Sequence, residues 1–168
     1  MTRLFFAIWP EPAAARELER VGQELARLAG GKPVPADKIH ITLAFLGSLG
    51  LDGVGAAVLA AARVKGAAIR MDLDRVGSFR RARVGWAAPS RPSAELLALQ
   101  AALAGELRLR TFRLEDREFN PHATLARKVA KAIPAGPIET VEWRSRAFTL
   151  VESTGDGRYE VRESWGLR

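Results

Sequence analysis

A chain of 168 residues has room for one domain, or for two small lobes sharing a core, and not for several independent units. Its 48% hydrophobic and 27% charged content is ordinary for a soluble globular protein, and with no cysteine there is neither a disulfide framework nor a thiolate metal site. A net charge of +7 favours a polyanionic partner such as RNA, although an Ala- and Arg-rich composition also follows from genomic base bias.

In chain order, Arg3 to Trp9 reads as a short, buried, aromatic strand. Pro10 ends this apolar run too early for a signal peptide or a membrane span, so the protein is expected to be cytoplasmic, away from membranes, and monomeric. Pro12 opens a helix on which Leu18, Val21, Leu25 and Leu28 recur at helical spacing, and Gly30-Gly31 ends it. Pro33 and Pro35 make an extended approach to a strand that closes at Gly47. An Ala-rich helix from about Asp52 to Gly66 follows, with Gly53 and Gly55 weakening its first turn. Ile69, Met71 and Leu73 then alternate with charged residues as in a strand, and Phe79 to Arg83 forms a basic turn leading to a short strand at Val84 to Ala87. Ser93 is placed to cap a third helix carrying Leu96, Leu97, Leu103 and Leu107. Phe112 to Leu114 is expected to be a short edge segment, and Pro134 and Pro137 to lie in a loop. A single strand is expected from Val141 to Ser153, with a tight turn at Gly155 to Gly157 and a return strand from Tyr159 to Trp165.

Two segments stand out: His40-Ile41-Thr42-Leu43 and His122-Ala123-Thr124-Leu125 share the pattern His-x-Thr-Leu, and these are the only two histidines. Period-two alternation puts His40 and Thr42 on one strand face, with Ile41, Leu43 and Phe45 on the other; His122 and Thr124 likewise oppose Ala123 and Leu125. Two such strands side by side would offer two imidazoles and two hydroxyls to one cleft. One motif falls in each half of an element order that nearly repeats. The expected architecture is therefore α+β and bilobal: one domain, residues 1–168, with two pseudo-twofold-related antiparallel sheets lining a central cleft and helices outside.

Imidazole suits proton transfer near neutrality, and a hydroxyl two residues on can donate to a phosphoryl oxygen. No His-Glu-x-x-His is present, nor any carboxylate spacing that would complete a metal site, and Gly30-Gly31-Lys32 lacks the upstream glycine of a phosphate-binding loop. A Ser-His-Asp arrangement would leave one histidine unexplained. Two facing histidines fit metal-free phosphodiester hydrolysis, one taking a proton from water and the other giving one to the departing oxygen.

The segments Arg3-Leu4-Phe5-Phe6-Ala7, His40 to Gly47, Pro121 to Arg127 and Phe148 to Ser153 span nearly the whole chain. Together they resemble the RNA 2',3'-cyclic phosphodiesterases, long called 2'-5' RNA ligases, of the two-histidine phosphoesterases. The resemblance implies the bilobal α+β fold and hydrolysis of RNA 2',3'-cyclic phosphate ends to 2'-phosphates. It also implies a reversible, ATP-independent 2'-5' ligation and no cofactor. His122 would activate water and His40 would protonate the departing 3'-oxygen. The RNA ends of tRNA fragments are one possible substrate. Arg127 matches the family's basic residue after the second motif, but strict alternation places it with Leu125, away from the cleft, unless the strand ends or bends there. Phe45 is a candidate substrate contact as well, although alternation puts it on the core side. Thr42 and Thr124 are expected at the phosphate, and Arg80 and Arg81, with Arg83, at the RNA backbone. Two other readings remain open: a binding module for nucleotides or RNA ends without turnover, and a cyclic phosphodiesterase acting on ADP-ribose cyclic phosphate.

Overall fold

The computed structural model describes all residues from Met1 to Arg168. Its strands are β1 Thr2–Ile8, β2 Lys32–Pro33, β3 Ile41–Leu49, β4 Ile69–Phe79, β5 Val84–Ala88, β6 Ala123–Arg127, β7 Gly136–Ser145, β8 Ala147–Ser153 and β9 Tyr159–Gly166. The helices are α1 Pro12–Ala29, α2 Leu51–Ala62 and α3 Ala94–Leu109, with one 3-10 turn at Ala36–Lys38. The α+β class is as expected, and every strand pair is antiparallel.

In place of the two expected sheets there is one nine-stranded sheet with two halves, joined at β6 and β3. Strand order runs β7-β4-β5-β6-β3-β1-β8-β9, with β2 added to β6. The halves meet through a single residue pair, Ile41 opposite Ala123. Each of these residues immediately follows its histidine. Antiparallel pairing at equivalent positions is what a local twofold through the seam requires, so the element-order repeat has a counterpart in the register.

Both seam residues are fully buried, and they belong to a core of 30 residues beneath the sheet. Leu4, Phe6 and Ile8 of β1 point into that core, as do Leu96, Leu99, Leu103 and Leu107 of α3. Phe5 and Ala7 point the other way and form a separate small cluster with Val151, bordered by Trp9 and Tyr159. The helices knit the halves together: α1, which precedes the first motif, packs on β6 and β5, whereas α2 and α3 pack on each other and on β3. Ser93 caps α3 as expected, its hydroxyl accepting the Leu96 N–H at 3.0 Å.

Three expectations change. The stretch Val141 to Ser153 is two strands that break at Arg146, with β7 pairing β4 in one half and β8 pairing β1 and β9 in the other. β7 alternates toward its end and β8 runs on as an apolar stretch, with no Gly or Pro between them to mark the crossing. Pro137 lies inside β7 opposite Arg75, tolerated because β7 is an edge strand. Phe112 to Leu114 forms no strand; Phe112 and Leu114 pack on the core from a loop.

Candidate active site

The first motif is aimed from below and from behind. The Glu19 carboxylate of α1 accepts the Ala36 N–H at 2.7 Å and anchors the 3-10 turn. That turn ends at Lys38, whose carbonyl accepts the His40 Nδ1–H at 2.8 Å. The carbonyl can only accept, so Nδ1 carries the proton and Nε2 keeps its lone pair, toward which the Thr42 hydroxyl donates at 3.2 Å. The second motif repeats the device: His122 Nδ1–H donates to the Asn120 carbonyl at 3.0 Å, again two residues upstream.

Each imidazole rests on aromatic rings. Phe5, Trp9 and Tyr159 surround His40 with centroid separations of 5.0, 5.2 and 5.4 Å. Phe79 meets His122 edge to face at 5.0 Å, and Trp86 stands behind Phe79 at 5.7 Å. Trp86 lies flat across β4 where Gly77 leaves room, since a Cβ there would overlap the indole ring. Burial among the rings pushes the His40 imidazole down to about 4. The Lys38 carbonyl opposes that shift, while the charges of Arg127 and His122 act with it.

Two residues stand where strict alternation did not put them, for one reason. Along β3, Ala7 pairs with Thr42 but Phe6 with Ala44, so Leu43 is an extra residue. Along β6, Trp86 pairs with Thr124 but Gly85 with Ala126, so Leu125 is extra. Each is a β-bulge that reverses the side-chain parity beyond it. The ladder leaves both bulge carbonyls to other partners: Gln100 Nε2 donates to that of Leu43 at 3.3 Å, and the Val34 N–H to that of Leu125 at 2.8 Å. Phe45 is thereby turned out of the core onto the face of Thr42, where it is 64% exposed and packs on Phe5 at 6.0 Å. Arg127, at the equivalent position of the second motif, is turned onto the face of Thr124, and its guanidinium donates to the Tyr159 hydroxyl at 3.4 Å. Core placement of Phe45 and outward placement of Arg127 are both corrected.

Arg80 and Arg81 are exposed in the turn that follows Phe79, the residue touching His122, and neither forms an ion pair. Arg83 instead braces the backbone, donating to the Val129 carbonyl at 3.1 Å. The rings of Phe5, Trp9, Phe79, Trp86 and Tyr159 were not identified as site residues from sequence. Alternation in Leu4-Phe5-Phe6-Ala7 marks Phe5 as facing away from Phe6, but which strand lies beside it depends on the tertiary pairing. No group of three or more His, Cys, Asp or Glu side chains stands where a metal could be held.

The fold and the paired motifs define a two-histidine site on the open face of an antiparallel sheet. The description "2'-5' RNA ligase superfamily" matches residues 8–157, and the chain belongs to that family. An Escherichia coli protein named RNA 2',3'-cyclic phosphodiesterase is 33% identical, the match covering 98% of this chain and 96% of that one. One of the same name from Thermus thermophilus is 29% identical over 99% and 90%. The structure of Escherichia coli LigT complexed with 3'-AMP superimposes with a TM-score of 0.89 at 30% identity, covering 99% of this chain and 98% of that one.

Proposed function

We propose that this protein is an RNA 2',3'-cyclic phosphodiesterase that opens the cyclic phosphate to a 2'-phosphate without a metal ion. The observation that carries this reading is the matched pair of imidazoles, each with Nδ1–H tied to the carbonyl two residues before it, so that Nε2 is the nitrogen available for proton transfer, that of His40 beside the Thr42 hydroxyl. The activity borne by the names of its relatives agrees with it.

In this reading His122 takes a proton from water as the oxygen attacks phosphorus, and the P–O3' bond breaks. His40 delivers the proton that makes the 3'-hydroxyl, leaving the phosphate on the 2'-oxygen. Thr42, Thr124 and Arg127 hold the equatorial oxygens, and Phe45 gives a base an exposed ring to stack on. Burial and the neighbouring positive charges oppose a proton on His40 in the free protein. An anionic phosphodiester between the histidines supplies the opposite charge, so proton uptake accompanies substrate binding. In 2'-5' ligation a 5'-hydroxyl takes the place of water: it gives its proton to His122 as the P–O5' bond forms, the P–O3' bond breaks, and His40 protonates the 3'-oxygen, so the strain of the cyclic phosphate takes the place of ATP. Arg80 and Arg81 carry the RNA backbone.

Turnover of an RNA ending in 2',3'-cyclic phosphate, measured beside ADP-ribose 1",2"-cyclic phosphate with EDTA in both, tests the reading. The RNA end is expected to be hydrolysed to a 2'-phosphate at an undiminished rate. Activity that falls in EDTA and returns with a divalent ion overturns the metal-free mechanism. Preference for the ADP-ribose compound moves the substrate, and no turnover of either leaves a binding module.

A further inference from the structure

Tyr159, the only tyrosine in the chain, touches residues of both motifs. Its ring stands edge-on to His40 at 5.4 Å and to Phe5 at 5.3 Å, and its hydroxyl takes the Arg127 guanidinium. It stands first in β9, the outermost strand of its half, opposite Ser153. Four strand-to-strand steps separate β9 from β6, which in a flat sheet is roughly 19 Å. The contact with Arg127 therefore crosses the seam over a concave face and ties the second motif to the far edge of the first half.

The hairpin that carries Tyr159 is itself held to the first motif. Its turn is closed by the Thr154 N–H on the Arg158 carbonyl at 2.9 Å and the Gly157 N–H on the Thr154 carbonyl at 3.0 Å. Lys38 Nζ donates to the Gly157 carbonyl at 2.6 Å and lies 5.7 Å from the centre of the Tyr159 ring. Lys38 is also the residue whose carbonyl aims His40. One residue thus fixes the imidazole through its backbone and the tyrosine through its side chain.

We propose that Tyr159 is a positioning residue: its hydroxyl holds Arg127 ready for the phosphate, and its ring closes the wall that keeps His40 dry. This rests on the phosphodiesterase reading for the role of Arg127. A free arginine side chain surrenders rotamer entropy when it is fixed. The hydroxyl meets part of that cost before substrate arrives, which is how preorganisation speeds a reaction. The two roles separate chemically, because Tyr159→Phe removes the hydroxyl alone and Tyr159→Leu removes the aromatic wall as well.

The test pairs kinetics with histidine NMR, which is clean because the chain has only two histidines. Tyr159→Phe is expected to lower kcat/KM about tenfold, the size of one lost positioning hydrogen bond, while His40 titrates as in the parent. The loss should vanish in an Arg127→Ala background. Tyr159→Leu should in addition raise the His40 midpoint from about 4 toward 6.5 by a unit or more. Tyr159→Phe equal to the parent, or a loss that adds in full to that of Arg127→Ala, overturns the proposal. Binding of inorganic phosphate provides an arm independent of turnover: Tyr159→Phe should weaken it with Arg127 present and not without. If RNA ends are not hydrolysed but this phosphate pattern holds, the functional reading fails and the positioning role stands; if the pattern is absent, the positioning role fails.

Discussion

The two imidazoles are built alike and surrounded differently. His40 sits in a box of three rings, and His122 has one ring beside it and lies nearer solvent. General acid or base help is worth about 10²–10⁴-fold each, so His40→Ala and His122→Ala should each lower turnover by that much while binding of a 2'-nucleotide product survives. The double variant should lose less than the product of the single losses, because the residues act as a unit. An RNA analogue with a better 3' leaving group assigns the roles: it is expected to rescue His40→Ala and to leave His122→Ala impaired, and rescue of the latter would reverse the assignment. The His40 environment also shows in stability. Its folded-state value of about 4 lies below the ordinary 6.5, so the unfolded chain binds the extra proton between those values. Stability is full above pH 6.5 and falls as the pH drops toward 4, by at most roughly 3 kcal/mol. Urea midpoints of the parent and His40→Gln across that window measure it, the variant being expected to show the shallower slope.

At the scale of elements, the bulges at Leu43 and Leu125 decide which side chains reach the site, and helix packing holds the second bulge in place. Gly22 of α1 lies against the Leu125 carbonyl so closely that a Cβ would overlap backbone. Backbone cannot rotate aside, so Gly22→Ala should push α1 off β6 and cost about 1–3 kcal/mol, and it should lower activity through Arg127. Gly55, in α2, has open space where its Cβ would be. Gly55→Ala should therefore stabilise, by about 0.4–1 kcal/mol, with activity unchanged. Denaturant midpoints of the two variants should move in opposite directions; equal shifts would remove close packing at Gly22 from the account.

For the whole molecule, charge governs how a long substrate is held. The net charge is +7, and Arg80, Arg81, Lys128 and Lys131 are exposed without acidic partners. Each phosphate they contact releases counterions, so affinity for an RNA oligonucleotide should fall with salt more steeply than affinity for a cyclic mononucleotide. Arg80→Gln with Arg81→Gln should reduce the oligonucleotide slope by about 1–2 and leave the mononucleotide slope alone. Equal slopes for the two ligands in the parent would take the turn out of the binding surface.

The sequence by itself marked the candidate site residues and most of the elements. The duplicated His-x-Thr-Leu, in a chain with no other histidine, named both imidazoles and both hydroxyls, and local periodicity with Gly, Pro and Ser punctuation located all three helices. These are local signals, in which side-chain spacing alone encodes the face. Only the tertiary structure decided Phe45 and Arg127, because a bulge is defined by what the partner strand pairs with, and a one-residue insertion leaves the strand's own sequence looking regular. The same holds for the break at Arg146 and for Tyr159. Their places depend on contacts between segments more than a hundred residues apart, β1 with β8 and His40 with Tyr159, and period-two alternation is blind to that choice.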